Sequence, residues 1–392
     1  MVSRFAKFSG LFKLLSEIEL VFGLWSIAFL LIAMIVEGPK FSFSYLNNLN
    51  FRDVLFVFVI MNIASTKPII ESAQFILSKF VSLIPLRFEY SFFIVMLAIG
   101  PMLGSFITEP AAMAVCAVIL RKGLFNKNIS LKFKYAILSL LFVNISIGGT
   151  LTHFAAPPIL IVAHKWGLTS SLLLRHLGYK SMIAILFSTF IFLFIFKKEL
   201  SQISIDKRLL KERTTPNWLI IAHLVLLFFS VYFAHTPVAL IFIFFFFIFL
   251  FKKTSIYQSH SEMTEALKVS FFMWGLIVLG GMQAWWLKMI LSNLSETKMI
   301  LGATALTAIT DNAALTYLGG VSNLGENLRW ALLAGAVAGG GLTVIANAPN
   351  PIGLSYLKES IDKEGVSAFL ILKWSLIPTI ISVICFMFLS SL

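Results

Sequence analysis

The run 92–120 is apolar except for one charged side chain, Glu109, and Pro110 follows it at once. Proline interrupts or restarts a helix, and a carboxylate inside a run of that length is costly enough to mark function by default. A second stretch repeats the pattern. Thr108-Glu109-Pro110-Ala111-Ala112 has its counterpart in Thr310-Asp311-Asn312-Ala313-Ala314, about half the chain away. The pair points to two related halves, each interrupted by an acid near its centre.

The medium around those interruptions follows from composition. Of 392 residues, 59% are hydrophobic and 12% charged, whereas soluble domains carry roughly a quarter charged residues. The chain therefore reads as an all-α polytopic membrane protein whose first partner is the lipid bilayer. Its net charge of +13 would suit a nucleic-acid surface, but the basic residues sit in short clusters between apolar runs. That pattern sets membrane orientation, so no nucleic-acid partner is expected. Cys116 and Cys385 lie inside apolar runs and offer neither a disulfide framework nor a zinc site. Arg4, Lys7 and Lys13 precede the first apolar run, which has no small-residue cleavage site after it. A retained first span is expected there, not a signal peptide.

A crossing helix needs about 20 apolar residues. Nine crossings are expected: 20–36, 54–65, an interrupted helix 133–167, 181–196, 218–233, 238–251, 266–282, a second interrupted helix 329–358, and 368–388. The segments 69–84 and 284–296 are amphipathic and read as helices lying in the interface. The segments 88–122 and 298–320, broken at Glu109-Pro110 and Asp311-Asn312, read as re-entrant hairpins, a form tolerated only where protein or a water-filled cavity covers it. The two interrupted helices break across 148–158 and 339–351. Residues 1–213, ending in a cytoplasmic linker at 197–213, form a first repeat, and 214–392 form a second.

Charge orients this scheme. With the amino terminus inside, 23 of the 31 Lys and Arg fall on the inner side, as the positive-inside rule requires. The carboxyl terminus is then outside, and the hairpins open to opposite faces. The repeats are inverted, an arrangement that suits alternating access. A bacterial inner membrane is the expected location.

Interrupted helices free backbone groups and half-helix dipoles for ion binding. Thr108 and Thr310 add hydroxyls; Asn312, Asn347 and Asn350 add amide oxygens; Glu109 and Asp311 add full charges. Oxygen-only ligand sets suit hard cations such as Na⁺, and two carboxylates would repel an anion. Burial disfavours a charged carboxylate, which can then take a proton or a metal cation but not both. His153, near Pro157-Pro158, titrates close to neutrality when unperturbed and would tune a pH response. The competing structural reading makes Glu109 or Asp311 a helix cap and His153 a packing residue. Gly100 and Gly104, like Gly335 and Gly339, have the spacing that lets helices approach closely.

Two hairpins with polar tips, each followed by a helix broken at glycines and proline-rich turns, resemble the ion transporter superfamily. Gly148-Gly149-Thr150 through Pro157-Pro158-Ile159 is similar to that superfamily's Gly-Gly-x-Ala-Thr…Pro-Pro-Asn signature, and Asp311-Asn312 resembles the Asp-Asn of its sodium/proton antiporters. A family of Na⁺/H⁺ antiporters is the nearest resemblance. It implies a homodimer with scaffold and transport regions. Glu109 and Asp311 would then hold Na⁺ or H⁺, with Thr108, Thr310, Asn312, Thr150, Asn347 and Asn350 lining the site. The acids at the tips depart from the Ser-Asn-Thr of the superfamily's anion symporters. The alternatives are a dicarboxylate or arsenite carrier of the same fold and a membrane-embedded enzyme using an acid dyad. The chain has no His-Glu-x-x-His, Gly-x-Ser-x-Gly or phosphate-binding loop, so neither an enzyme nor a cofactor is expected, only Na⁺ and H⁺ as transported ions.

Overall fold

Every regular element among the described residues is a helix or helical turn; none is a strand. The computed structural model describes residues 18–49, 51–210, 214–234, 236–258, 263–280, 294–322, 324–361 and 365–389. The basic amino-terminal segment, and most of the expected second interfacial helix with Trp285, Trp286 and Lys288, lie outside the described residues.

Helix α1 (Ile18–Val36) leads through α2 (Pro39–Asn48) to α3 (Arg52–Ala64) and α4 (Lys67–Leu83). The chain bends by 66° between α3 and α4, where Lys67-Pro68 starts the new helix. Helix α4 is amphipathic as its sequence implies. Ile69, Ala73, Leu77 and Val81, four residues apart, are buried, while Phe75, Lys79 and Leu83 are exposed.

Helix α5 (Phe88–Ile107) continues through a π-helical turn at 95–99 and ends at Thr108. Then follow α6 (Glu109–Leu120), α7 (Leu131–Leu151), α8 (Pro157–Trp166), α9 (Ser170–Ile195) and the short α10 (Lys197–Gln202). The rest comprises α11 (Asn217–Tyr232), α12 (Pro237–Lys253), α13 (Met263–Gly280), α14 (Glu296–Thr307), α15 (Asn312–Val321), α16 (Glu326–Gly339), α17 (Pro349–Ile361) and α18 (Ala368–Phe388).

Among the described residues α5, α7, α9 and α18 are long and apolar enough to cross a membrane, and the bent pair α3–α4 passes the same test when joined. Residues 20–36, α11 and 266–280 are apolar but shorter. The first arm of the expected hairpin, α5, ends at Thr108, where the sequence interrupts it. Its 20 residues rise about 30 Å, because neither Gly100 nor Pro101 ends the helix: the π-helical turn absorbs the irregularity just before them.

The interrupted helices divide as their sequences imply. Three of the four helices that follow a break begin with proline, at Pro110, Pro157-Pro158 and Pro349; the first turn is where the missing N–H costs nothing. The fourth, α15, begins instead with an Asp311 cap.

Packing is reciprocal. The first part of each broken helix lies against the helix that precedes the Glu109 or Asp311 interruption, α7 on α5 and α16 on α14. The second part crosses over: α8 packs on α15, and α17 on α6. Small residues permit this closeness. A Cβ on Gly335 would meet Ile300 O at 2.4 Å, and one on Gly341 would meet the Val143 backbone at 2.3 Å. The largest core surrounds α6 and α7, with Phe92, Phe133, Phe142 and Tyr135 wholly enclosed.

Gly335 and Gly302 test this packing on one helix pair, because a Cβ on Gly302 meets nothing within 4 Å. Gly335→Ala forces α16 off α14 and should destabilise by about 1–3 kcal/mol. Gly302→Ala should stabilise by up to about 1 kcal/mol. Thermal unfolding midpoints of the purified protein in detergent should move in opposite directions; equal shifts would contradict the packing.

Candidate functional site

Four interruptions meet in the interior, and the side chains at their edges carry most of its unusual polarity. Glu109 is the first residue of α6 and is 0% exposed. Its N–H donates to Ala155 O at 3.4 Å, in the first broken helix. Its Oε2 accepts from Asn347 Nδ2 at 2.9 Å, in the second. Its Oε1 rests on Gly149, where a Cβ would come within 2.4 Å, and has no hydrogen-bond partner. Any side chain at position 149 would displace the carboxylate.

A parallel arrangement surrounds Asn312, the first residue of α15 and also 0% exposed. It rests against Gly340, where a Cβ would meet its Nδ2 at 2.7 Å and Ser146 Oγ at 2.2 Å. Glu109 on Gly149 and Asn312 on Gly340 are therefore equivalent pairs. This corrects the sequence register, in which Glu109 matched Asp311. The reason lies in how each helix restarts. Pro110 begins α6 with Glu109 inside its first turn, whereas Asp311 stays one position outside α15 as its cap. Asp311 Oδ1 accepts from the N–H groups of Ala313 at 2.7 Å and Ala314 at 3.2 Å. One residue of helix is about 100° of rotation, enough to turn Asp311 along the backbone and Asn312 inward.

Asn350 spans the second break, donating from Nδ2 to Gly340 O at 2.7 Å and Thr343 O at 2.8 Å. Thr343 in turn donates to Ala308 O at 2.9 Å, tying that break to the Asp311 tip. Thr108, just before Glu109, has φ 77° and is the one non-glycine residue with positive φ among the described residues. A β-branched residue there is strained by about 1–3 kcal/mol, a cost usually retained for function.

Orphaned polar atoms concentrate here. Thr108 Oγ1, Glu109 Oε1, Asn312 Oδ1 and Nδ2, Asn347 Oδ1 and Asn350 Oδ1 are all buried without partners. Each such group costs roughly 1–3 kcal/mol when left without any partner. All but one are oxygens, and only one belongs to a carboxylate. No group of three or more His, Cys, Asp or Glu forms among the described residues.

Three expected residues are occupied elsewhere. Thr310 is exposed and donates to Leu306 O of its own helix at 2.9 Å. Thr150 is buried but donates to Ile147 O at 2.8 Å and is hydrogen-bonded to Ser181 Oγ at 2.8 Å. His153 is half-buried, with Nδ1 2.9 Å from Ser170 Oγ.

Ser105 was missed. It donates to Gly148 O at 2.7 Å and accepts from Leu151 N–H at 2.9 Å, while Thr152 donates to its carbonyl at 2.5 Å. These bonds fasten α5 to the first break. The available signal was a hydroxyl one helical turn before Glu109 in an otherwise apolar stretch.

A narrow crevice reaches Thr108 and Ala111 between Met61, Ser65 and Ile70. Ile70 also lines a cavity of about 280 Å³ bounded by Lys67, Glu71, Lys122 and Thr214. The crevice and the cavity therefore adjoin at one side chain.

Ser105→Ala should lower stability by about 1–3 kcal/mol, because it orphans a buried N–H and weakens the join. Ser78→Ala removes an exposed hydroxyl bonded only to Phe75 O and should change stability by less than about 0.5 kcal/mol. Paired thermal unfolding of the two variants is the check.

The family model described as "Putative Na+/H+ antiporter" matches residues 1–389. No curated protein matches the chain.

Proposed function

The chain belongs to the "Putative Na+/H+ antiporter" family, and from that premise we propose that it exchanges Na⁺ for H⁺ at Glu109. It is an integral membrane protein of ion transport. The single observation that carries the site is the fully buried Glu109 carboxylate, with one oxygen held by Asn347 and the other unpartnered.

In this reading Glu109 Oε1 faces the transported cation, with Thr108 Oγ1 and the Oδ1 atoms of Asn312, Asn347 and Asn350 completing an oxygen set. A cation and a proton compete for one carboxylate, because a buried carboxylate tolerates its charge only when that charge is neutralised. Asn347 favours the charged form by donating to it. Loading with H⁺ or Na⁺ leaves the site neutral either way, and that neutral site is what crosses.

The fold reading extends the same proposal. The reciprocal packing of α8 on α15 and α17 on α6 supports two inverted repeats, with the hairpins at 88–122 and 298–320 re-entrant. Alternating access would then come from moving the interrupted helices, fastened to α5 through Ser105, against α3 and α4. A homodimer in a bacterial inner membrane, amino terminus inside, completes the picture on the strength of the resemblance and the charge pattern.

The anion-carrier alternative is weakened by the acid at the centre of the orphaned cluster. The acid-dyad alternative is weakened by Asp311, whose Oδ1 is engaged with two backbone N–H groups.

Proteoliposomes with an internal pH dye test the proposal. Added Na⁺ should drive proton movement without any anion substrate. Glu109→Gln should abolish it in folded protein, and Asn347→Ala should raise the half-saturating Na⁺ by roughly tenfold, the worth of one hydrogen bond to a charged group. Undiminished exchange in Glu109→Gln, or transport that requires a dicarboxylate, would remove the reading.

A further inference from the structure

Away from the interruptions, basic side chains gather where α8 finishes and where α9 and α16 begin. The His176 ring stacks on Trp330 with centroids 4.2 Å apart. The Arg329 guanidinium lies 5.7 Å from the centre of the Trp166 ring. Lys165 precedes Trp166 in the last turn of α8, and Lys180 follows His176 by one turn of α9. Three helices thus bring Lys165, Lys180 and Arg329 around two indole rings. Glu326 is the one acid that α8, α9 and α16 carry among them.

Most of this positive charge has no counterpart in the protein. Among the described residues Lys165 and Lys180 have neither a hydrogen bond nor an ion pair, although Lys180 is only 7% exposed. Arg329 Nε donates to Leu324 O at 2.7 Å, which leaves both Nη groups for another acceptor. Trp166 Nε1 is buried without a partner. On the adjoining α14, Glu296 accepts from Asn327 Nδ2 at 2.8 Å. The free groups are therefore all donors, and three of them are cations.

The flank of this cluster is apolar: Leu172, Leu174, Met182, Ile183 and Phe187 of α9 are all exposed. A small free anion would leave that surface bare, whereas acyl chains hanging from a bound phosphate would cover it.

We propose that the ends of α8, α9 and α16 bind an anionic phospholipid. Its phosphate is held by Lys165, Lys180 and Arg329, and its chains lie along the exposed side of α9. The site goes beyond the exchange reading and does not depend on which ion Glu109 takes. A guanidinium meets a phosphate through two parallel N–H groups, and tryptophan rings favour headgroup depth because they pair an apolar body with a polar edge. Basic pockets between membrane helices hold headgroups in this way. Because α8 and α16 belong to different halves of the chain, a bound headgroup would also bridge those halves.

The test is native mass spectrometry of the detergent-purified protein titrated with phosphatidylglycerol or with zwitterionic phosphatidylcholine. Phosphatidylglycerol should bind at least about fivefold tighter, the worth of one Lys or Arg beside an anionic headgroup. Lys165→Gln, Lys180→Met and Arg329→Gln should each weaken it by about fivefold, and Arg329→Lys by less. Lys253→Gln, which removes an exposed charge at the end of α12, should leave it unchanged. Lys165 is itself exposed, so its substitution reads binding without disturbing a core. The lipid should also raise the unfolding midpoint of the wild type but not of the Lys165→Gln/Arg329→Gln double variant. Equal affinity for the two lipids, or undiminished phosphatidylglycerol binding in that double variant, would overturn the proposal. Full displacement of the lipid by equimolar inorganic phosphate would overturn it too, because the site would then serve a free anion.

Discussion

The hydrogen bond from Asn347 to Glu109 joins interruptions that belong to opposite halves of the chain. Both groups sit in an interior that apolar residues fill almost everywhere else. A carboxylate there is affordable only with a donor on one oxygen and a neutralising ion or proton on the other. Everything nearby answers to that condition. Gly149 leaves room for the acid, Pro110 restarts the helix beneath it, and the crossing of α17 over α6 brings the amide from far along the sequence.

The same condition explains why the two halves are alike but not identical. Two buried, interior-facing carboxylates so close together would repel strongly in a low-dielectric interior. The second half places an amide at the inward position and moves its acid to the helix cap, where backbone N–H groups receive it. An internal resemblance at the level of residue type thus ends in different hydrogen-bond partners for the two acids, set by one residue of helix register.

The bonds from Ser105 to Gly148 and Leu151, and from Asn350 across the second break, hold the unwound segments to their neighbours. Strain at Thr108 is maintained by this framework. The crevice at Ile70 and the cavity beyond it lie between this unit and α4, the boundary where relative motion would change access.

Much of this was legible from sequence because membrane constraints act locally. Apolar run length, the punctuation at Pro157-Pro158 and Pro349, and the acids in otherwise uncharged runs located most of the helices and the interruptions between them. Glu109, Asn347 and Asn312 were legible as polar residues that a hydrocarbon interior would otherwise reject. The roles of Asp311 and Thr310 were not. Whether an acid caps a helix or faces the interior depends on where that helix begins, and the packing of α15 against α8 and α16 decides this. The partners of Ser105, Gly149 and Gly340 were likewise beyond reach, because closeness between distant segments leaves no local pattern. Residue type and order determined that this chain is a bundle of helices with costly interruptions; only the tertiary fold decided which interrupted ends meet, since partners for buried polar groups come from whichever backbone packing brings within hydrogen-bond distance.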